Sequence, residues 1–169
     1  MPLSKQVLSK YSNPIFIETG LGDGDGTMIA HGLGFPAIYS IELEPDRVLS
    51  FTKKLQGLGI TNVELYTGNS PAILAELLKS MKGKAITFWL DSHPPDSPLP
   101  LYRCPLLKEL RIITESGCIP TILIDDMRLF SKADKCIIAN ALWHVSGVTQ
   151  IKYEDSPVAN GDIMVGCGL

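Results

Sequence analysis

The sequence predicts an α/β fold: a parallel sheet with helices on both faces, in a single domain. Three observations carry this. Short apolar runs of strand length alternate with segments whose apolar residues recur at helical spacing. The first run passes into a glycine turn, Glu18-Thr19-Gly20-Leu21-Gly22-Asp23-Gly24, that opens a helix. Five strand-helix units then give way to two strands joined through Asn160-Gly161, a hairpin signal.

Size and composition bound the function. A chain of 169 residues with 45% hydrophobic residues suits one compact domain and leaves no room for a second. The net charge of -3 and the scattered Lys and Arg argue against a nucleic-acid surface, which needs a basic stripe, and favour a small-molecule substrate. No apolar stretch reaches the ~20 residues of a membrane span, and Lys5 and Lys10 are not followed by an apolar signal core. A cytoplasmic protein without membrane contact is expected. Cys104, Cys118, Cys136 and Cys167 include no Cys-x-x-Cys pair and read as reduced, mostly structural thiols.

Residues 1–14 are polar and end in the turn Ser12-Asn13-Pro14, as a lead-in helix or arm would. The first strand runs from Ile15 and stops at Glu18; a short helix follows from Thr27 to Leu33. The second strand, Ala37 to Ile41, stops at Glu42. Pro45 starts a helix in which Val48, Leu49, Thr52 and Leu55 recur until Gly57. After the third strand, Val63 to Tyr66, either Asn69 or Ser70 can cap a helix that Pro71 begins. The fourth strand, Ala85 to Leu90, is apolar throughout, as one covered on both faces should be, and ends at Asp91-Ser92-His93. Five prolines stiffen residues 94–105, a candidate lid. Leu106 to Ile113 form a helix, Pro120 to Ile124 a strand ending at Asp125-Asp126, and Ser131 to Val145 a helix with Ile137, Ile138, Ala141 and Leu142 facing inward. Val148 to Tyr153 and Ile163 to Val165 are the last two strands.

The glycine spacing selects the ligand. Gly-x-Gly-x-x-Gly fails in both registers, since five on from Gly20 stands Asp25 and five on from Gly22 stands Thr27. A dinucleotide is disfavoured. Glu-x-Gly-x-Gly-x-Gly instead resembles the first motif of class I S-adenosylmethionine (SAM) dependent methyltransferases. That resemblance covers nearly the whole chain, from Ile15 to Gly166, and implies a Rossmann-like, mostly parallel seven-stranded sheet with an antiparallel last strand. It implies SAM as cofactor, with Glu18, Thr19, Gly20, Gly22 and Gly24 at the methionine end and Asn69-Ser70 beside the adenine. Glu42 stands about twenty residues past the glycines, where an acid can accept from both ribose hydroxyls; the plainer reading is a solvated acid at a strand end.

The acids concentrate at one rim. Asp91, Asp125 and Asp126 would repel one another unless a cation lay between them, and carboxylates without nearby thiols form a hard site suited to Mg²⁺. These three are similar to the metal ligands of cation-dependent O-methyltransferases, with Asp91 also against the cofactor. The match departs in one place: the lysine that catechol-type members keep three residues after the first metal Asp is Pro94 here. His93 is the nearest substitute as general base, resembling the Asp-x-His arrangement of sugar O-methyltransferases, because an imidazole titrates near neutrality. Phe-Ile-Glu-Thr-Gly, Trp-Leu-Asp-x-His and Ile-Asp-Asp-x-Arg also resemble small bacterial methyltransferase-like proteins. Arg103 and Arg128 are candidates for an anionic substrate group, though solvated arginines read equally well. The expected activity is O-methylation of a small hydroxylated molecule; a metal-independent methyltransferase and a non-catalytic SAM-binding protein are the alternatives. With no extra domain, specificity must come from residues 94–105, the N-terminal arm, or a second subunit of a homodimer.

Overall fold

The structure, a computed structural model, describes residues 3–93 and 100–168. Its seven strands are β1 (Ile15–Thr19), β2 (Ala37–Glu42), β3 (Val63–Thr67), β4 (Ala85–Leu90), β5 (Ile119–Ile124), β6 (Gln150–Glu154) and β7 (Ile163–Cys167). They form one sheet in the order β3-β2-β1-β4-β5-β7-β6, parallel except for β7, which pairs antiparallel with β5 and β6. The six helices are α1 (Lys5–Leu8), α2 (Asp25–Gly32), α3 (Pro45–Gly57), α4 (Ser70–Leu77), α5 (Leu106–Ser116) and α6 (Lys132–Trp143). This is the expected Rossmann-like architecture.

Strand alternation divides the core. Phe16, Ile38, Trp89 and Leu123 pack toward α1 and α2, whereas Ile17, Phe88 and Ile122 pack toward α4, α5 and α6. Burying each such side chain contributes roughly 1.5–3 kcal/mol. A smaller cluster of Leu21, Phe51 and Leu55 seats α3. Among the described residues no helix is long and apolar enough to cross a membrane. All four cysteines are free, three of them buried.

Several local expectations change. The N-terminal arm is less polar in place than in sequence: Leu3, Val7, Leu8 and Tyr11 are buried under the sheet. Leu49 is 55% exposed and Ile137 49% exposed, because α3 turns Phe51 and Leu55 inward and α6 turns Ile138 and Leu142 inward. Asn69 occupies the N-cap position of α4 without a side-chain hydrogen bond to the helix, and the Ser70 hydroxyl is drawn to a buried carboxylate. The first strand extends to Thr19, so Glu18 lies inside β1. The strand expected from Val148 begins at Gln150.

Candidate active site

The carboxyl ends of β1, β2, β4 and β5 are held level by backbone bonds that continue past the strands. The Gly20 amide donates to Ile41 O (2.9 Å), the Asp91 amide to Thr19 O (2.9 Å), the Asp125 amide to Leu90 O (3.2 Å) and the Gly68 amide to Glu42 O (2.8 Å). Each loop therefore leaves the sheet from a fixed point. Residues far apart in sequence meet along this edge, as expected for the ligand end of an open parallel sheet.

The glycine turn is shaped by close approach and by positive φ. A Cβ on Gly20 (φ +87) would stand 2.2 Å from the Asp91 carbonyl oxygen, one on Gly24 (φ +83) 1.9 Å from the Phe51 ring, and one on Gly26 2.0 Å from Glu18 Oε1. Gly22 (φ +55) differs, since nothing but Arg47 Nη1, 3.9 Å away, faces its missing side chain. Beneath the turn, Glu18 is 2% exposed and its Oε2 accepts from the hydroxyls of Thr27 and Ser40, each at 2.6 Å. Burial pushes the Glu18 carboxyl up to about 7, against those two bonds, which hold it down. Glu42 spans the neighbouring loop: Oε2 accepts from the Gly22 amide and Oε1 from the Glu44 amide, both at 3.0 Å. Each oxygen keeps lone-pair capacity for a ligand hydroxyl.

The acids after β4 and β5 fall into two groups. Asp91, His93 and Asp126 bring one ligand atom each within 4.8 Å of one another; so, separately, do Asp125, Asp126 and Asp162. His93 Nε2 lies 3.5 Å from both Asp91 Oδ1 and Asp126 Oδ2. Asp126 is the sole described non-glycine residue at positive φ (56°), a conformation aspartate tolerates better than most. Asp125 turns inward, fully buried, with Oδ1 accepting from the Asp126 amide at 2.6 Å. The expected trio of Asp91, Asp125 and Asp126 is thus divided, with His93 rather than Asp125 completing the open group. Burial, and then repulsion from their acidic neighbours, pushes both Asp91 and Asp125 well above the usual carboxylate range. Arg128 already neutralises the second group, because its guanidinium pairs with both Asp126 and Asp162. Its expected role as a free anion receptor is taken up by these internal partners.

A cavity of about 870 Å³ opens over this edge. That lies within the range of about 300–1,000 Å³ typical of small-molecule sites. Glu18, Glu42, Asn69, Ser70, Asp91 and His93 all line it, together with Gly20 and Gly22, so most of the expected cofactor residues share one space with Asp91 and His93, whereas Asp126 stands outside the lining. Gly24 and Thr19 stand outside its lining, Gly24 against Phe51 and Thr19 fully buried. Arg103 lies at the mouth beside Tyr102, which is 78% exposed. Residues 94–99 of the candidate lid lie outside the described residues; residues 101–103 form a 3₁₀ turn anchored by buried Leu101. His31 and His144 hydrogen-bond to Asn62 Oδ1 and Asn140 O, away from the cavity lining.

Sequence reasoning missed two acids. Asp162 reads as a hairpin residue, yet its carboxylate is buried and accepts from the Arg128 amide and the Ser156 hydroxyl. Glu109 reads as a polar position on α5, yet is 0% exposed. A signal existed for it: Glu109 falls three residues after Leu106 and four before Ile113, on the apolar face of that helix.

No protein-family model and no curated protein matches the sequence. Solved structures do resemble the fold. The O-methyltransferase TomG from Streptomyces achromogenes, solved with SAM, superimposes with a TM-score of 0.67 at 15% identity over 97% of this chain and 77% of its own. Human methyltransferase-like protein 13, in complex with S-adenosylhomocysteine (SAH), gives 0.64 at 16% over 96% and 78%. An rRNA methylase from Streptococcus thermophilus gives 0.60 at 17% over 98% and 94%. At these identities the likeness establishes the class I methyltransferase fold.

Proposed function

We propose that this protein is a SAM-dependent methyltransferase acting on a hydroxyl of a small polar molecule. The observation that carries the reading is the single cavity in which the glycine turn, Glu18 and Glu42 face Asp91 and His93. The fit to SAM rests on this chain's own donors. Gly22 leaves the space beside the turn open, Glu42 offers two oxygens for the ribose, and buried Glu18 supplies an acid for the cationic amino-acid end. SAM supplies a methyl group on a sulfonium, open to in-line displacement. The residues across the cavity then have to orient the acceptor hydroxyl and take its proton. His93 Nε2 is the acceptor for that proton. The Asp126 carboxylate, 3.5 Å away, stabilises the imidazolium that results, and Asp91 Oδ1, at the same distance, can accept its N–H.

The same group fits a divalent cation: two carboxylates and a buried imidazole nitrogen that has no hydrogen-bond partner among the described residues. Asp91, His93 and Asp126 would hold it, and Mg²⁺ or a softer ion there would lower the pKa of a bound hydroxyl. The two readings exclude each other at His93 Nε2. Calorimetric titration with SAH, and turnover of SAM on hydroxylated acceptors with Mg²⁺ and with chelator, tests both. Micromolar SAH binding with chelator-resistant turnover supports the metal-free base; chelator-sensitive turnover supports the cation. Absence of SAH binding rejects the methyltransferase reading.

A further inference from the structure

Glu109 has no place in the reading above, yet it sits directly behind the cavity wall. It reaches from α5 to the start of α4 and the loop after β4 at once. Its Oε1 accepts from the Ser70 hydroxyl, after β3, at 2.5 Å and from the Ser92 hydroxyl, after β4, at 2.8 Å. Its Oε2 is buried and has no partner at hydrogen-bonding geometry among the described residues. The buried hydroxyl of Thr19, at the end of β1, is in the same condition and lies close enough to help hold the Glu109 carboxyl down. A fully buried carboxylate is costly, and an apolar residue among Leu106, Leu110 and Ile113 would pack there without that cost. Its presence calls for a role other than stability.

The hydroxyls supply one. Ser70 and Ser92 both line the cavity, and each has one proton. Both protons point backward to Glu109 Oε1, so what each serine turns toward a ligand is lone pairs alone. We propose that Glu109 is a positioning residue that locks Ser70 and Ser92 as hydrogen-bond acceptors, so that the cavity selects a ligand presenting N–H donors at that wall, such as the exocyclic amine of adenine. The inference rests on the SAM reading for the identity of that ligand. It does not depend on the charge of Glu109. Burial pushes this carboxyl above its ordinary value, but a proton on Oε2 leaves Oε1 accepting as before.

The test is a pair of calorimetric titrations, with SAH and with its hypoxanthine counterpart S-inosylhomocysteine, in which a carbonyl acceptor replaces the C6 amine and the N–H donor moves to N1, away from the position the serines face. Wild type should bind SAH at least tenfold tighter. Glu109→Leu removes the acceptor while filling the volume. It should keep or raise Tm, weaken SAH about tenfold, and narrow the SAH preference to about threefold or less, because the freed serines can now donate. Glu109→Gln, whose amide oxygen accepts in the same way, should restore both affinity and preference to within about threefold of wild type. The inference is overturned if Glu109→Leu keeps the wild-type preference, or if its binding loss comes only with a fall in Tm. Should Glu109→Leu not fold, the Ser70→Ala/Ser92→Ala double variant decides: a narrowed preference supports the inference and an unchanged one overturns it. Wild type that binds neither ligand fails the SAM reading itself; wild type that binds both equally fails the polarity lock alone.

Discussion

Gly20 and Gly22 stand two residues apart and both have positive φ, yet replacing each by alanine should have different consequences. For Gly20→Ala the new methyl meets Asp91 O at 2.2 Å, Asp91 C at 2.7 Å and Ser92 Cα at 3.1 Å, all backbone atoms that cannot swing aside. The left-handed conformation costs about 1–2 kcal/mol and overpacking about 1–3 kcal/mol more. The sum, about 2–5 kcal/mol, lowers Tm by on the order of 10 °C in a domain of this size. For Gly22→Ala only the conformational part applies, about 1–2 kcal/mol, since the nearest atom is the flexible tip of Arg47 at 3.9 Å. Tm should fall by about 5 °C. The methyl would project beside a residue that lines the cavity, and SAH affinity should drop at least tenfold, about 1.4 kcal/mol. Thermal unfolding monitored by circular dichroism, with calorimetry on the folded variants, reads both quantities. If Gly22→Ala binds SAH as wild type does, the turn is shaped for the fold alone; equal Tm losses would refute the assignment of the Gly20 contact.

Other predictions follow from the same edge. Glu42→Ala should weaken SAH at least tenfold with little change in Tm, because the Gly22 and Glu44 amides it frees can reach solvent; wild-type affinity would remove Glu42 from the ribose site. Glu18 is raised from 4.5 to about 7, so its contribution to stability is complete below pH 4.5 and is lost as pH rises through 7. Tm of the ligand-free protein should therefore decline across that window, more shallowly in Glu18→Gln; parallel pH profiles would show that Glu18 does not titrate there. If the cation reading holds, a separate Mg²⁺ or Mn²⁺ heat should vanish in Asp126→Asn and survive in Asp125→Asn, because Asp125 turns inward away from the open group. The reverse pattern would return Asp125 to the metal. Replacing His93 with Gln should lower turnover at least a hundredfold at neutral pH while leaving SAH affinity within about threefold, and unimpaired turnover would exclude His93 as the proton acceptor.

The chain alone determined the architecture and most of the named residues that line the cavity. Hydrophobic periodicity is a local property, so strand and helix order could be read from Ile15 to Val165. The glycine run announces its turn because backbone approach and positive φ leave few other residues possible. The acids Glu42, Asp91, Asp125 and Asp126 were legible because each follows an apolar strand directly. What a side chain touches is not local, and only the folded sheet decided that. Parallel pairing set β1, β4 and β5 level, which brought His93 between Asp91 and Asp126 and left Asp125 facing inward. Arg128 looked free in sequence; β7 returning beside β5 carries Asp162 to its guanidinium. Glu109 is the clearest case. In the chain it is one acid on an amphipathic helix, and only packing of α5 against the start of α4 and the loop after β4 turns it into a buried acceptor for two cavity-lining serines.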